Sequence, residues 1–177
     1  MALDILTIEK AVRDRFDENA FNFRMEEDIL TFEVNPSVIK DVVRFMKEDE
    51  ILRFIFLTDL CGVHYPDNNK DAQFAVVYHL HNLVDNVRVR LKTYLNGDNP
   101  EVDTLTGVFD SANWMERETY DFYGINFIGH PNMKRILNDD GMVSFPMRKN
   151  HPLEDAGRTD KDDRFFGRTS HNYEPNN

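Results

Sequence analysis

The chain has 177 residues, of which 41% are hydrophobic and 14 are Phe, enough to fill the core of one domain and leave an extension. A formal net charge of −11 argues against a nucleic-acid binder and against direct docking on an anionic membrane surface. The single cysteine, Cys61, excludes an intramolecular disulfide and cannot alone hold an iron–sulfur cluster, which takes about four protein ligands; a reducing compartment is the simplest setting.

The first residues carry acids and bases at short intervals and lack the apolar core of a signal peptide, and no apolar run reaches membrane-spanning length. Any membrane association is therefore expected to come through other chains. Residues 4–16 have helical periodicity, with Leu6, Ala11, Val12 and Phe16 among the apolar positions. Residues 29–34 alternate, placing Leu30, Phe32 and Val34 on one face of a strand. Asn35 and Pro36 then signal a helix start, as cap and first helical residue, and Val38, Val42, Phe45 and Met46 give its apolar stripe up to about Asp49.

Three β-rich stretches follow, 54–60, 74–80 and 87–95, separated by turn-rich segments at 66–70 and 82–86. Short connectors between successive strands predict an antiparallel meander. A last helix is expected over residues 113–123, with Asn113 as cap, Glu116 completing a capping box and Gly124 ending it. Within it Arg117 and Asp121 have i, i+4 spacing for an ion pair. His130, preceding Pro131, is biased to an extended conformation, and a basic-apolar turn follows at 133–137.

This order predicts an α+β fold: a two-layer domain over residues 1–140, with helices packed on one face of a mixed, mostly antiparallel sheet. From residue 141 to 177 apolar periodicity fades and Asp, Arg, Asn, Gly and Pro dominate, the composition of an extended C-terminal arm for partner docking. Phe165 and Phe166 in that arm read as anchors into a partner.

Candidate chemistry is sparse. Glu116, Glu118 and Asp121 could pair an acid with a base, but ion pairing on an exposed helix face explains them more simply. His130 has no Ser or Cys nearby in sequence to activate as a nucleophile, so a role in the Gly129-His130-Pro131 turn is expected. His79 and His81 lie two apart on a strand and form a possible metal half-site, which Cys61 and His64 would complete; the spacing CGVH supplies only two ligands. Cys61, close after Phe56 and Leu57, reads as a small core residue. No glycine-rich phosphate loop occurs, so no nucleotide site is expected. Arg88, Arg90 and Lys92 alternate along one strand face, to meet either an acidic partner or solvent.

The run at 116–137, ERETYDFYGINFIGHPNMKRIL, packs charge, aromatic rings and turn residues more densely than the rest of the chain. It resembles the signature of the C-type, or 30 kDa-type, subunit family of respiratory complex I, the NADH-quinone oxidoreductase. Asn132 and Met133 depart mildly from it. The later PMRKNHPL resembles the family's PLRKDFPL, with Met147, Asn150 and His151 as departures.

The resemblance implies a cofactor-free member of the peripheral arm, on the cytoplasmic face of a bacterial inner membrane or its organellar equivalent. It implies that the chain buttresses the quinone-site partner, the D-type subunit of complex I, and neighbouring iron–sulfur subunits, with its tail running over that D-type partner. FMN and the iron–sulfur clusters would reside in partner subunits, and the NADH-to-quinone activity would belong to the assembly. Carried onto this chain, the signature marks Trp114, Glu116, Arg117, Glu118, Asp121, Gly124, His130, Pro131, Lys134, Arg135, Arg148 and Lys149 as structural or interface residues. Of these, Lys134, Arg135, Arg148 and Lys149 would reach acidic groups on the quinone-site partner. Two alternatives stand beside it: the equivalent subunit of a membrane-bound hydrogenase, and a small metal-dependent enzyme built on Cys61, His64, His79 and His81.

Overall fold

The computed structural model describes residues 3–150. Helix α1 (Ile5–Phe16) buries Ile8 and Val12 and carries Arg13 and Arg15 in its last turn, where cations complement the helix dipole. Leu6, expected on the apolar stripe, is instead 72% exposed. The chain then enters β1 (Ala20–Glu26), an element that periodicity did not predict. Its alternation is interrupted by a register shift between Phe21 and Arg24, with Asn22 at φ 54. A two-residue turn, Glu27 and Asp28, both at positive φ, returns it to β2 (Ile29–Val34).

Asn35 does not cap a helix. Its carbonyl accepts the Val38 amide in a turn, and α2 (Ile39–Glu48) begins beyond it with no side-chain cap. Three long strands follow: β3 (Phe56–His64), β4 (Phe74–Asn82) and β5 (Val87–Leu95). A three-residue strand β6 (Glu101–Asp103) precedes α3 (Ala112–Tyr123), and β7 (Asn126–Ile128) pairs with β6 in parallel.

The main sheet runs β1-β2-β5-β4-β3. All its neighbours are antiparallel except β2 and β5, so the sheet is mixed and mostly antiparallel, as expected for this α+β domain. The meander β3-β4-β5 is present. One sheet face carries Leu30, Phe32, Leu60, Val76, Tyr78, Leu80, Val89 and Leu91, all in the core with Ile8, Val12, Ile39, Val42 and Met46 from the helices. Each such side chain taken fully from water contributes about 1.5–3 kcal/mol, which is what fixes the register.

The opposite face is charged and internally paired. Glu26 accepts from Arg24 at 2.6 Å, Lys92 at 2.9 Å and Arg90 at 3.3 Å. These hydrogen bonds, Arg24 first and Lys92 next, lower its pKa to about 2. Arg90 and Lys92 are thus committed within the chain, while Arg88 stays exposed.

Candidate functional site

The signature folds into a corner where α3 meets the chain beyond it. The helix starts at Ala112, one residue before the expected cap, and Ser111 at its N-terminus makes no side-chain cap bond. Glu116 forms no capping box. It is fully buried and reaches the β6–α3 connection, accepting from Thr104 Oγ1 at 2.5 Å and from the Leu105 amide at 2.6 Å. Burial raises its pKa to about 7, against those two hydrogen bonds and the pull of Lys40. Thr104 Oγ1 in turn contacts Thr106 Oγ1 at 2.9 Å and accepts the Thr106 amide at 3.1 Å.

Asp121 is also fully buried, and the expected pairing with Arg117 is absent. Its carboxylate instead accepts Arg135 Nη1 at 2.7 Å and the amides of Ile136, Leu137 and Asn138 at 3.0, 2.8 and 2.9 Å. The Asn138 side-chain amide adds a fifth bond at 3.0 Å. Burial alone would raise the Asp121 pKa, but these bonds, Asn138 and Leu137 foremost, hold it well below the usual carboxylate range. The exposed-face expectation therefore fails for Glu116 and Asp121 and holds only for Glu118. Helical periodicity could not foresee this, because both acids face partners far along the chain.

Arg135 is correspondingly turned inward. Beyond Asp121 it donates to the carbonyls of Met142 at 2.7 Å and Ser144 at 3.1 Å, with its guanidinium 5.0 Å from the Phe145 ring centroid. Arg148 donates to the Tyr123 carbonyl at 2.7 Å and lies between the rings of Phe145 and Phe74, 4.6 and 4.9 Å away. Both guanidiniums are thus engaged by groups of the chain itself, where the resemblance implied contacts with acidic groups on a partner. Arg117 donates to the carbonyls of Lys134 and Arg135, both at 3.1 Å, and lies 5.2 Å over Trp114.

Gly124 ends α3 as expected, at φ +72 with its amide on the Tyr120 carbonyl. A Cβ there would come within 2.5 Å of Phe145 and 2.6 Å of Arg148 Nη2, so the glycine also lets this segment pack close. His130 Nε2 bonds the Asn113 carbonyl at 3.2 Å and its Nδ1 accepts the Asn132 amide at 3.0 Å, a turn-fixing role. Trp114 (61% exposed), Glu118, Pro131, Lys134 and Lys149 remain on the surface. Thr104, Asn138 and Phe145 complete the corner; neither spacing nor composition singled them out.

The four candidate metal ligands are engaged separately. His64 stacks on Phe74 and accepts the Lys149 amide, His79 accepts from Arg90, and His81 pairs with Asn86. Cys61 is half-buried, not fully in the core, and burial pushes its thiol up to about 11, away from nucleophile or ligand chemistry near neutrality. Among the described residues no three His, Cys, Asp or Glu side chains gather into a metal site. Glu116, Arg117, Asp121, Arg135 and Arg148 each have partners within the corner, an arrangement that suits a rigid support.

Residues 32–157 match the family model described as the 30 Kd subunit of respiratory-chain NADH dehydrogenase. The chain belongs to this family. It is 47% identical over 133 residues to a C-type subunit of NADH-quinone oxidoreductase from Rhizobium meliloti, covering 75% of this chain and 71% of that one. It is 39% identical over 168 residues to the C-type subunit of NADH-quinone oxidoreductase from a Roseiflexus species, covering 94% and 95%.

Among solved structures, the trypsin-resistant fragment (1-134) of Nqo5 is similar with a TM-score of 0.61 at 27% identity, covering 72% of this chain and 98% of that one. A chain of the membrane-bound sulfane sulfur reductase, an archaeal respiratory membrane complex, is similar with a TM-score of 0.69 at 27% identity, covering 82% and 84%. The 30 kDa-subunit family and its α+β fold are thus reached from sequence and from structure alike. In this member no helix among the described residues is long and apolar enough to cross a membrane.

Proposed function

We propose that this chain is a cofactor-free structural subunit of the peripheral arm of an NADH-quinone oxidoreductase, holding the quinone-site D-type partner against neighbouring iron–sulfur subunits. NADH oxidation and quinone reduction then belong to the assembly, with FMN and the clusters in partner chains and the arm on the cytoplasmic face. The observation that carries this is the saturated corner: Glu116, Asp121, Arg135 and Arg148 spend their hydrogen bonds internally. That rigidity fixes Trp114, Pro131, Lys134 and Lys149 on the outside, and a half-exposed tryptophan beside a cation is the kind of anchor that dominates binding energy.

The experiment is to combine Trp114→Ala with Lys134→Glu in the full chain and follow complex assembly on native gels together with NADH-driven quinone reduction. Both residues are exposed, so the isolated chain keeps its melting temperature while assembly falls; intact assembly with normal activity contradicts the docking role.

The similarity to a sulfane sulfur reductase chain supports a second reading, the equivalent subunit of a related membrane complex such as a hydrogenase. Which enzyme components co-purify with the tagged chain separates the two.

A further inference from the structure

Beside Trp114 the surface opens into a cavity of about 570 Å3, lined by Lys40, Thr104, Thr106, Asp110, Trp114 and Pro131 among others. Lys40 comes from the first turn of α2, the two threonines from the segment that follows β6, and Trp114 from α3. The Glu116 carboxyl lies directly behind this lining. It is fully buried, yet it is one hydrogen bond from the cavity, 2.5 Å from Thr104 Oγ1, which is itself 2.9 Å from Thr106 Oγ1. A titratable group so placed feels whatever fills the cavity without being touched from it.

Each ionisable neighbour of Glu116 acts differently on it. Lys40, half-buried on α2, favours the charged carboxylate. Tyr78 of β4 is fully buried, with a hydroxyl that has no partner among the described residues. Burial first, then the charges of Glu116 and of Asp103 on β6, hold that phenol well above its ordinary pKa, so it stays neutral and donates no proton. Asp110 sits on the exposed rim of the cavity. His130, bonded to the Asn113 carbonyl, faces the same turn of α3 from the segment beyond β7. Covering the cavity removes solvent from the Lys40 side of the carboxyl, the one side where the charged form has help beyond its two hydrogen bonds. Loss of that solvent penalises the charge and favours the neutral acid.

We propose that the Trp114 face is a proton-linked interface: a partner subunit that seats on Trp114 and closes the cavity drives a proton from solvent onto Glu116, so that the junction is tighter at lower pH. This rests on the docking role of Trp114 given above and adds its regulation. The sign follows from linkage. The free chain holds this proton up to a pH of about 7, and the docked chain holds it further up. Well below 7 the carboxyl is neutral in both states and pH has no effect on association. As pH rises through 7 the free chain releases the proton first, and docking then requires its uptake, which weakens association until the docked carboxyl ionises as well.

The test follows release of the tagged full chain from the purified assembled complex in a fixed, mild chaotrope from about pH 6 to about pH 8.5, at a temperature where circular dichroism shows the free chain folded, for the parent and for Glu116→Gln. The parent is expected to lose about tenfold in affinity across this range, the amount one carboxyl supplies when docking makes its proton ten times harder to remove. Glu116→Gln keeps His130 and should lose only the slope that His130 contributes. The same slope in both chains, or an affinity that rises with pH in the parent, overturns the proposal. Should Glu116→Gln not assemble, Lys40→Met decides: without the pull of Lys40 the fall begins at higher pH, and an unmoved onset overturns the linkage. Trp114→Ala separates this from the docking reading. Assembly that ignores Trp114 overturns both, whereas Trp114-dependent assembly with no slope owed to Glu116 removes the proton linkage alone.

Discussion

At the scale of single residues, the two buried acids of α3 make opposite statements about pH. Glu116 has a folded pKa of about 7 against an ordinary 4.5, so the native state binds more protons than the unfolded chain between those values. Its contribution is whole below pH 4.5 and is lost as pH rises through 7, a span worth about 3 kcal/mol at 1.36 kcal/mol per unit. Glu116→Gln can still accept the Leu105 amide and bond Thr104, so its thermal melts should lack most of the decline seen in the parent chain from pH 5 to 7.5; parallel declines would show that Glu116 is not the group responsible. Asp121 runs the other way. Its pKa is depressed, so its stabilisation is present above the usual carboxylate range and fades as pH falls below it. Asp121→Asn turns an acceptor of five bonds into one that sets its own N–H groups against backbone donors. Urea unfolding should register a loss of about 3–5 kcal/mol, the usual cost of breaking a buried ion pair, and a loss under about 1 kcal/mol would contradict the geometry. The sequence spacing had suggested Arg117 as the partner of Asp121. Local i, i+4 logic is blind to Arg135 and to the amides that compete for the same carboxylate from a segment returning across the helix end.

Among elements, those with strong local signals were legible and those set by distant pairing were not. Helix α1, strand β2, the β3-β4-β5 meander and α3 with its glycine stop all follow from periodicity and turn residues. Strand β1 was missed because its alternation is broken at Asn22 and its hairpin turn uses Glu27 and Asp28 in place of the Asn-Gly pair that marks such turns. Strands β6 and β7 are three residues each, too short for any pattern. The helix start at Asn35-Pro36 came three residues early, since those residues form the turn before α2. The stop at Gly124 can be tested directly. Gly124→Ala combines a positive φ with contact at 2.5 Å on the Phe145 ring, so it should cost more than the roughly 1 kcal/mol of a glycine replaced in left-handed backbone. Proteolysis should then begin within residues 145–148, freed from the helix end; an unchanged digestion pattern would mean that Phe145 and Arg148 do not depend on the close approach.

For the whole molecule, the signature identified the family, while the fold decides which of its charges are engaged inside the chain. Residues expected to reach a partner, Arg135 and Arg148, hold the corner together, while Trp114, Lys134 and Lys149 are the ones outside. The difference is physical: a signature records which residue types recur, and a buried hydrogen-bonded hub needs the same charged residues as a docking surface. The expected arm covers residues 141–177; of its described part, Phe145 and Arg148 pack on Tyr120 and Tyr123 of α3 while the Met142 and Ser144 carbonyls accept from Arg135, and Phe165 and Phe166 lie outside the described residues. Limited trypsin digestion should trim this chain beyond the corner when it is alone and spare it in the complex, and equal rates in both would count against an arm that docks. The most direct measurement of the chain's role is to tag it in its native host, solubilise the membranes gently and assay the purified material for NADH-dependent quinone reduction. Activity is expected to co-purify, with flavin and iron–sulfur signals in the partner chains and neither in the chain once it is separated. A chain that purifies alone, accompanies a complex unable to oxidise NADH, or itself retains flavin would contradict a cofactor-free support in an NADH-quinone oxidoreductase.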